Sequence, residues 1–194
     1  MKDFSCFIVR VFLRLFYTVK IIGFENLPQK GRIIVASNHI SNIDPPAILS
    51  FINKLRNDTT ALAKKELFDK PFLGWFLRKM DMIDVDRENA DISAIKRSVR
   101  ALQADRCLLI FPEGTRAKDG EKLQPKTGIS YLAKKTKSKI LPVRIFNDKN
   151  GLKLGKIIIV FDKPVDTDMY NLNDKKVFNE FPEIIMNKIF SIKI

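Results

Sequence analysis

The stretch Arg32–Pro46, RIIVASNHISNIDPP, reads as a strand, a polar turn and the opening of a helix. Arg32 to Ser37 is a short apolar run of the kind that forms a buried strand. Asp44 stands before Pro45 and Pro46. Aspartate suits a helix N-cap and proline the first helical position, where its missing N–H costs nothing, so a helix is predicted from Pro45 to about Lys54. The strand therefore delivers His39, the single histidine of the chain, to its carboxyl end. An imidazole titrates near physiological pH, and a carboxylate that fixes its tautomer makes it a general base. These residues leave two readings open: such a base oriented by Asp44, or a strand-end histidine bonded to backbone beside an aspartate cap. They are compatible, because a capping carboxylate keeps lone pairs for a histidine N–H.

Strand and helix signals alternate outward from this unit. Strands are expected at Thr59–Lys64, Met82–Asp86, Cys107–Phe111, Ile140–Phe146 and Ile157–Phe161. Helices are expected at Pro71–Lys79, Asp91–Asp105, Ile129–Lys135 and Asp174–Ile192, the last kinked or broken at Pro182. The clearest period lies in Asp91–Asp105, where Ile92, Ile95, Val99 and Leu102 share one face. Such alternation predicts an α/β fold: a single domain with a central, mostly parallel mixed sheet flanked by helices. Ligands of these sheets gather at the carboxyl ends of the strands. Polar clusters fall there three times, at Asn38–Asp44, at Asp86-Arg87 and at Glu113–Arg116.

A chain of 194 residues suffices for one substantial core and is short for two. Thirty-five basic against twenty-two acidic side chains give a net charge of +13, which favours anionic partners such as phosphorylated metabolites, acidic headgroups or nucleic acid. Two distant cysteines and one histidine lack the paired spacing of a zinc site or a disulfide framework, so no metal is expected and a reducing compartment is.

Phe4 to Ile22 is mostly Phe, Ile, Val and Leu, interrupted by Arg10, Arg14 and Lys20. Two arginines near its middle argue against a spanning helix, and the arginines and the lack of a small-residue cleavage site against a signal peptide. Wound as a helix, Asp3, Arg10, Arg14 and Thr18 form one narrow stripe. Residues 1–22 are therefore expected to be a membrane-docking helix lying in the interface, basic stripe toward headgroups, with residues 23–194 the domain that carries the candidate base. A core helix of a soluble domain is the competing expectation.

Glu113-Gly114-Thr115-Arg116 offers backbone N–H groups around a glycine, a hydroxyl and a guanidinium, a set that suits a phosphate. An ordinary turn with an exposed arginine has the same residues. No Walker-type loop, dinucleotide fingerprint or nucleophile elbow is present, so nucleotide binding and an acyl-enzyme on serine lack support.

Taken in order, Asn38-His39-x-Ser41-x-x-Asp44, Lys65-Glu66-Leu67 with Pro71 and Gly74, Val85-Asp86-Arg87, Phe111-Pro112-Glu113-Gly114-Thr115-Arg116 and Leu141-Pro142-Val143 resemble the glycerolipid acyltransferase family, specifically the bacterial lysophosphatidic acid acyltransferases. The resemblance runs from about Gly23 through Val143; Pro125 departs from it, standing where the family often has Phe before Lys-x-Gly. It implies transfer of a fatty acyl group from acyl-CoA or acyl-carrier protein, as co-substrate and without a cofactor, to the free hydroxyl of lysophosphatidic acid. It implies His39 as base and Asp44 as its orienting group. Glu113, Gly114, Thr115 and Arg116 would bind the glycerol phosphate, helped by Lys65 and Arg87, with Leu141-Pro142-Val143 lining the site. The expected setting is the cytoplasmic face of the cell membrane, peripheral or monotopic, on anionic lipids and without nucleic acid. Two alternatives stay open: another acceptor, glycerol-3-phosphate or a different lysolipid, and a non-catalytic basic module for membranes or nucleic acid.

Overall fold

Residues Ile33–Ser37 form β2, the middle strand of a seven-stranded sheet, and all five are buried. A computed structural model describes residues 2–86, 91–117, 123–148 and 155–194. Its other strands are β1 (Thr18–Ile22), β3 (Thr60–Lys64), β4 (Ile83–Val85), β5 (Cys107–Ile110), β6 (Lys139–Asp148) and β7 (Lys156–Phe161). Its helices are α1 (Lys2–Phe16), α2 (Asp44–Ile52), α3 (Pro71–Lys79), α4 (Ile92–Gln103), α5 (Gly128–Thr136) and α6 (Lys175–Ser191). The strand order is β1-β7-β6-β2-β5-β3-β4. The last five strands in that order run parallel; β7 pairs antiparallel with β6, and β1 parallel with β7. The mixed, mostly parallel sheet expected from the sequence is present.

Parallel strands covered on both faces read as continuous apolar runs, and Cys107-Leu108-Leu109-Ile110 is one. Alternate residues serve opposite layers. Ile33, Val35, Leu109, Leu141 and Val143 pack with residues of α1, α2 and α3. Ile34, Ala36, Leu108, Ile110 and Ile140 pack with Ala94 and Leu102 of α4, Ile129 and Leu132 of α5, and Phe181 and Ile185 of α6. Asp91 caps α4 by accepting the Ala94 N–H at 2.8 Å. Asp174 caps α6 from the N–H groups of Lys176 and Val177. Pro182 does not end α6, which runs on to Ser191.

Two expectations about the N-terminus are corrected. The helix does not reach Ile22: it stops at Phe16, and Thr18-Val19-Lys20-Ile21-Ile22, β-branched and alternating, joins the sheet as the edge strand β1. Residues 18–22 thus belong to the same sheet as β2, the strand that leads into His39. The polar stripe of α1 also faces the protein: Lys2 donates to the Thr59 carbonyl, Arg10 to the Ser50 carbonyl, and Asn53 donates to Asp3. The Arg10 and Lys2 bonds satisfy one carbonyl in the last turn of α2 and one just before β3. Phe4, Phe7, Ile8, Val11, Phe12, Leu15 and Phe16, spaced i, i+3, i+4, i+7 and onward, form an exposed apolar face instead. Among the described residues no helix is long and apolar enough to cross a membrane.

Candidate active site

Where β2 ends, Asn38 continues its pairing with β6 through a side chain. Its amide donates to the Ile145 carbonyl at 3.0 Å and accepts the Ile145 N–H at 2.9 Å. The next residue, His39, is held by ring and backbone together. Its N–H donates to Glu113 Oε2 at 2.7 Å, and its carbonyl accepts the Ala117 N–H at 2.9 Å. Its ring stacks on Phe111, centroids 4.3 Å apart and planes at 28°. Nδ1 lies 3.0 Å from Asp44 Oδ2. A carboxylate can only accept, so Nδ1 carries the proton and Nε2 presents its lone pair. Nε2 has no hydrogen-bond partner among the described residues.

Asp44 does not cap α2 forward. Ile43 is the flanking residue, and no side chain caps the helix start. The carboxylate folds back instead, and Oδ2 accepts the N–H groups of Ile40 at 2.7 Å and Ser41 at 2.6 Å besides His39. Asp44 is fully buried, and its Oδ1 has no partner among the described residues. The turn that binds the carboxylate and the imidazole that uses it are one local structure.

Glu113 is buried, and its carboxyl points inward onto the His39 N–H. Burial pushes its pKa up to about 7; the hydrogen bond from His39 opposes that shift and the Asp44 charge adds to it. Gly114 follows at φ 71°, in the left-handed region, its N–H bonded to the Phe111 carbonyl at 2.9 Å. A Cβ there would stand 2.9 Å from Cε of Lys126, whose side chain lies along the glycine. Thr115 and Arg116 are exposed on the same loop, two and one residues before Ala117, and Arg116 makes no ion pair among the described residues. Lys65 is exposed just beyond β3, two strands from β2, or about 10 Å sideways at normal strand spacing. Arg87 lies outside the described residues. Leu141 and Val143 do not line the site: both are buried in the core beneath it, on the strand beside β2. A mostly apolar cleft of about 540 Å³ opens between α4 and α5, with Phe111, Pro112 and Gly114 on its wall and Lys96 and Lys126 beside them.

The sequence placed His39, Asp44 and Glu113–Arg116 at one sheet edge, and the structure joins His39, Asp44 and Glu113 by direct hydrogen bonds. It adds Phe111, Asn38 and Lys126. Phe111 and Asn38 stand beside the motif residues, but nothing in the sequence said that one would stack and the other replace a ladder bond.

Residues 18–146 match the family model described as Acyltransferase, and the chain belongs to that family. Among its relatives, it is 30% identical over 193 residues to the 1-acyl-sn-glycerol-3-phosphate acyltransferase of Bacillus subtilis (strain 168), covering 97% of this chain and 95% of that one. It is 43% identical over 128 residues to the Helicobacter pylori enzyme of that name, covering 61% of this chain and about half, 53%, of that one. The crystal structure of the 1-acyl-sn-glycerophosphate (LPA) acyltransferase PlsC from Thermotoga maritima superposes with a TM-score of 0.72 at 26% identity, over 95% of this chain and 77% of that one.

Proposed function

We propose that this acyltransferase moves a fatty acyl group from a thioester, acyl-CoA or acyl-carrier protein, to the free hydroxyl of lysophosphatidic acid, forming phosphatidic acid. The observation that carries the reading is His39, its Nδ1 on a buried carboxylate at 3.0 Å and its Nε2 free. Nε2 takes the hydroxyl proton as that oxygen attacks the thioester carbonyl. Asp44 stabilises the imidazolium, and general-base help of this kind contributes about 10²–10⁴ in rate. The tetrahedral intermediate collapses with cleavage of the C–S bond, and the thiolate leaves with the proton from the imidazolium. The thioester is already activated, so the residues need only orient the reactants and exclude water.

Glu113 acts here as a positioning residue for the His39 backbone, because a buried acid bonded inward is poorly suited to a phosphate. Arg116 supplies the planar fork that phosphate oxygens accept from, with Lys65 and, by the sequence resemblance, Arg87 adding positive charge. The apolar cleft beside Phe111 and Gly114 gives a fatty chain room next to the base. The outward apolar face of α1 supports docking in a membrane interface, with the lipid acceptor reached from there. The free thiols Cys6 and Cys107, both buried, suit the reducing cytoplasmic side.

The test is an assay with lysophosphatidate and each donor, with mass spectrometry of the lipid product. Wild type should form phosphatidate, and folded His39→Ala should lose nearly all turnover. A strong preference for a phosphate-free acceptor would overturn the phosphate assignment, and wild-type turnover by His39→Ala would overturn the base.

A further inference from the structure

We infer that α3 is a second membrane-contact element, which enters the headgroup–acyl boundary of an anionic bilayer beside α1 with Trp75 as its interfacial anchor. The inference rests on the proposal that α1 docks on lipid and extends it to a helix on the other side of α2 in the chain. The inner side of α3 is well defined. Gly74 lies so close to the preceding turn that a Cβ would meet the Phe68 carbonyl oxygen at 2.0 Å, and Phe76 and Leu77 pack against the core. At about 100° per residue, Phe72, Trp75 and Lys79, spaced i, i+3 and i+7, fall within about 60° of one another on the side away from Leu77. Phe72 is 89% exposed and Trp75 54%. Two large aromatic rings on an outer stripe of a short helix have no ring contact or hydrogen bond among the described residues. Tryptophan is the side chain most at home at the headgroup level, where its ring meets both the apolar and the wet layer.

Charge selects lipid as the occupant. Between Lys70 and Met80 the chain has Arg78 and Lys79 and no acidic residue. Asp81, just beyond, is ion-paired with Arg106. Basic residues beside an apolar face are drawn to anionic headgroups. The net charge of +13 acts in the same direction.

Position supplies the third argument. α3 and α1 pack on the same core layer, that of Val35, Leu109 and Phe51. α3 starts just after β3 ends, so Phe72 and Trp75, in its first turns, lie toward the carboxyl edge that carries His39. α1 ends there too: Thr18 pairs with Lys156, which pairs with Asp148 at the end of β6. Phe12, Leu15 and Phe16 are therefore at that edge, as is half-exposed Ile40 beside the base. Two apolar helix ends on one rim set the opening of the site against lipid, so an acceptor reaches Nε2 without crossing water.

Trp75 is the only tryptophan, so its emission reports α3 alone. The full chain is mixed with vesicles of phosphatidylglycerol and phosphatidylcholine, with and without brominated acyl chains, and sedimented in parallel. A blue shift and strong quenching of the vesicle-bound protein are expected, and Phe72→Ser should weaken partitioning about tenfold. Sedimentation without quenching overturns the role of α3 and leaves α1 docking standing. Absence of sedimentation overturns both. A blue shift that follows protein concentration without vesicles assigns the stripe to a second copy of the chain and overturns the inference, as does unaltered partitioning of Phe72→Ser.

Discussion

Replacing Asp44 by Asn keeps the outline of the side chain and removes its charge. Three donors converge on Oδ2, His39 Nδ1 at 3.0 Å and the N–H groups of Ile40 and Ser41 at 2.7 and 2.6 Å, while Oδ1 faces no partner. An asparagine must therefore place its oxygen toward the donors and its NH₂ in the unpartnered position. A buried amide NH₂ without an acceptor costs about 1–3 kcal/mol. Bonds that were charge-assisted fall to roughly half their strength, against which the variant no longer buries a charge. A net loss of about 1–3 kcal/mol in stability is expected, read by urea denaturation. The kinetic effect is separate. In Ser–His–Asp triads the same exchange costs about 10⁴ in turnover; here, without an enzyme nucleophile to activate, about 10²–10⁴ is expected, or about 3–5 kcal/mol of transition-state stabilisation. Initial rates of phosphatidate formation on protein shown to be folded by circular dichroism measure it. A folded Asp44→Asn variant with turnover within about threefold of wild type would refute the claim that this carboxylate stabilises the imidazolium.

Glu113 gives a pH signature. The folded protein holds its proton up to about pH 7, while the ordinary value in an unfolded chain is 4.5. The folded state thus binds more protons between those values. Its contribution is fully present below about pH 4.5 and is lost as pH rises through 7, up to about 3 kcal/mol in all. Glu113→Gln does not titrate, so wild-type stability should fall relative to this variant between pH 4 and pH 8. A gap unchanged between those two conditions sinks the burial account. Arg116→Ala should raise KM for lysophosphatidate about tenfold or more with a smaller change in kcat, because a phosphate contact remote from the reacting hydroxyl acts in ground and transition states alike. A fall in kcat at unchanged KM would instead place Arg116 at the reacting centre.

Local patterns carried much of this protein. The apolar run before Asn38 and the prolines after Asp44 are enough to define a strand, a turn and a helix, because each is a short-range preference. The end of β5 at the Phe111–Arg116 motif follows from the same kind of signal. The N-terminus shows where such signals stop. Thr18–Ile22 continues a greasy segment and looks like more helix, yet β7 offers it a parallel partner, and pairing with a strand about 140 residues away outweighs local propensity. The facing of α1 was also read backwards. Its polar stripe suits headgroups by composition, but the carbonyls of Thr59 and Ser50 accept from Lys2 and Arg10 respectively.

The residues of the candidate site stand out along the chain: one histidine, a carboxylate five residues on, and a Glu-Gly-Thr-Arg turn. Their hydrogen-bond partners are decided only in three dimensions. Glu113 is 74 residues from His39 and meets its N–H because β5 lies beside β2, and Asp44 turns back to the imidazole because three donors wait there. Residue type and short-range order are properties of sequence, whereas a hydrogen-bond partner depends on which strands become neighbours, and that is decided by burial of the whole sheet.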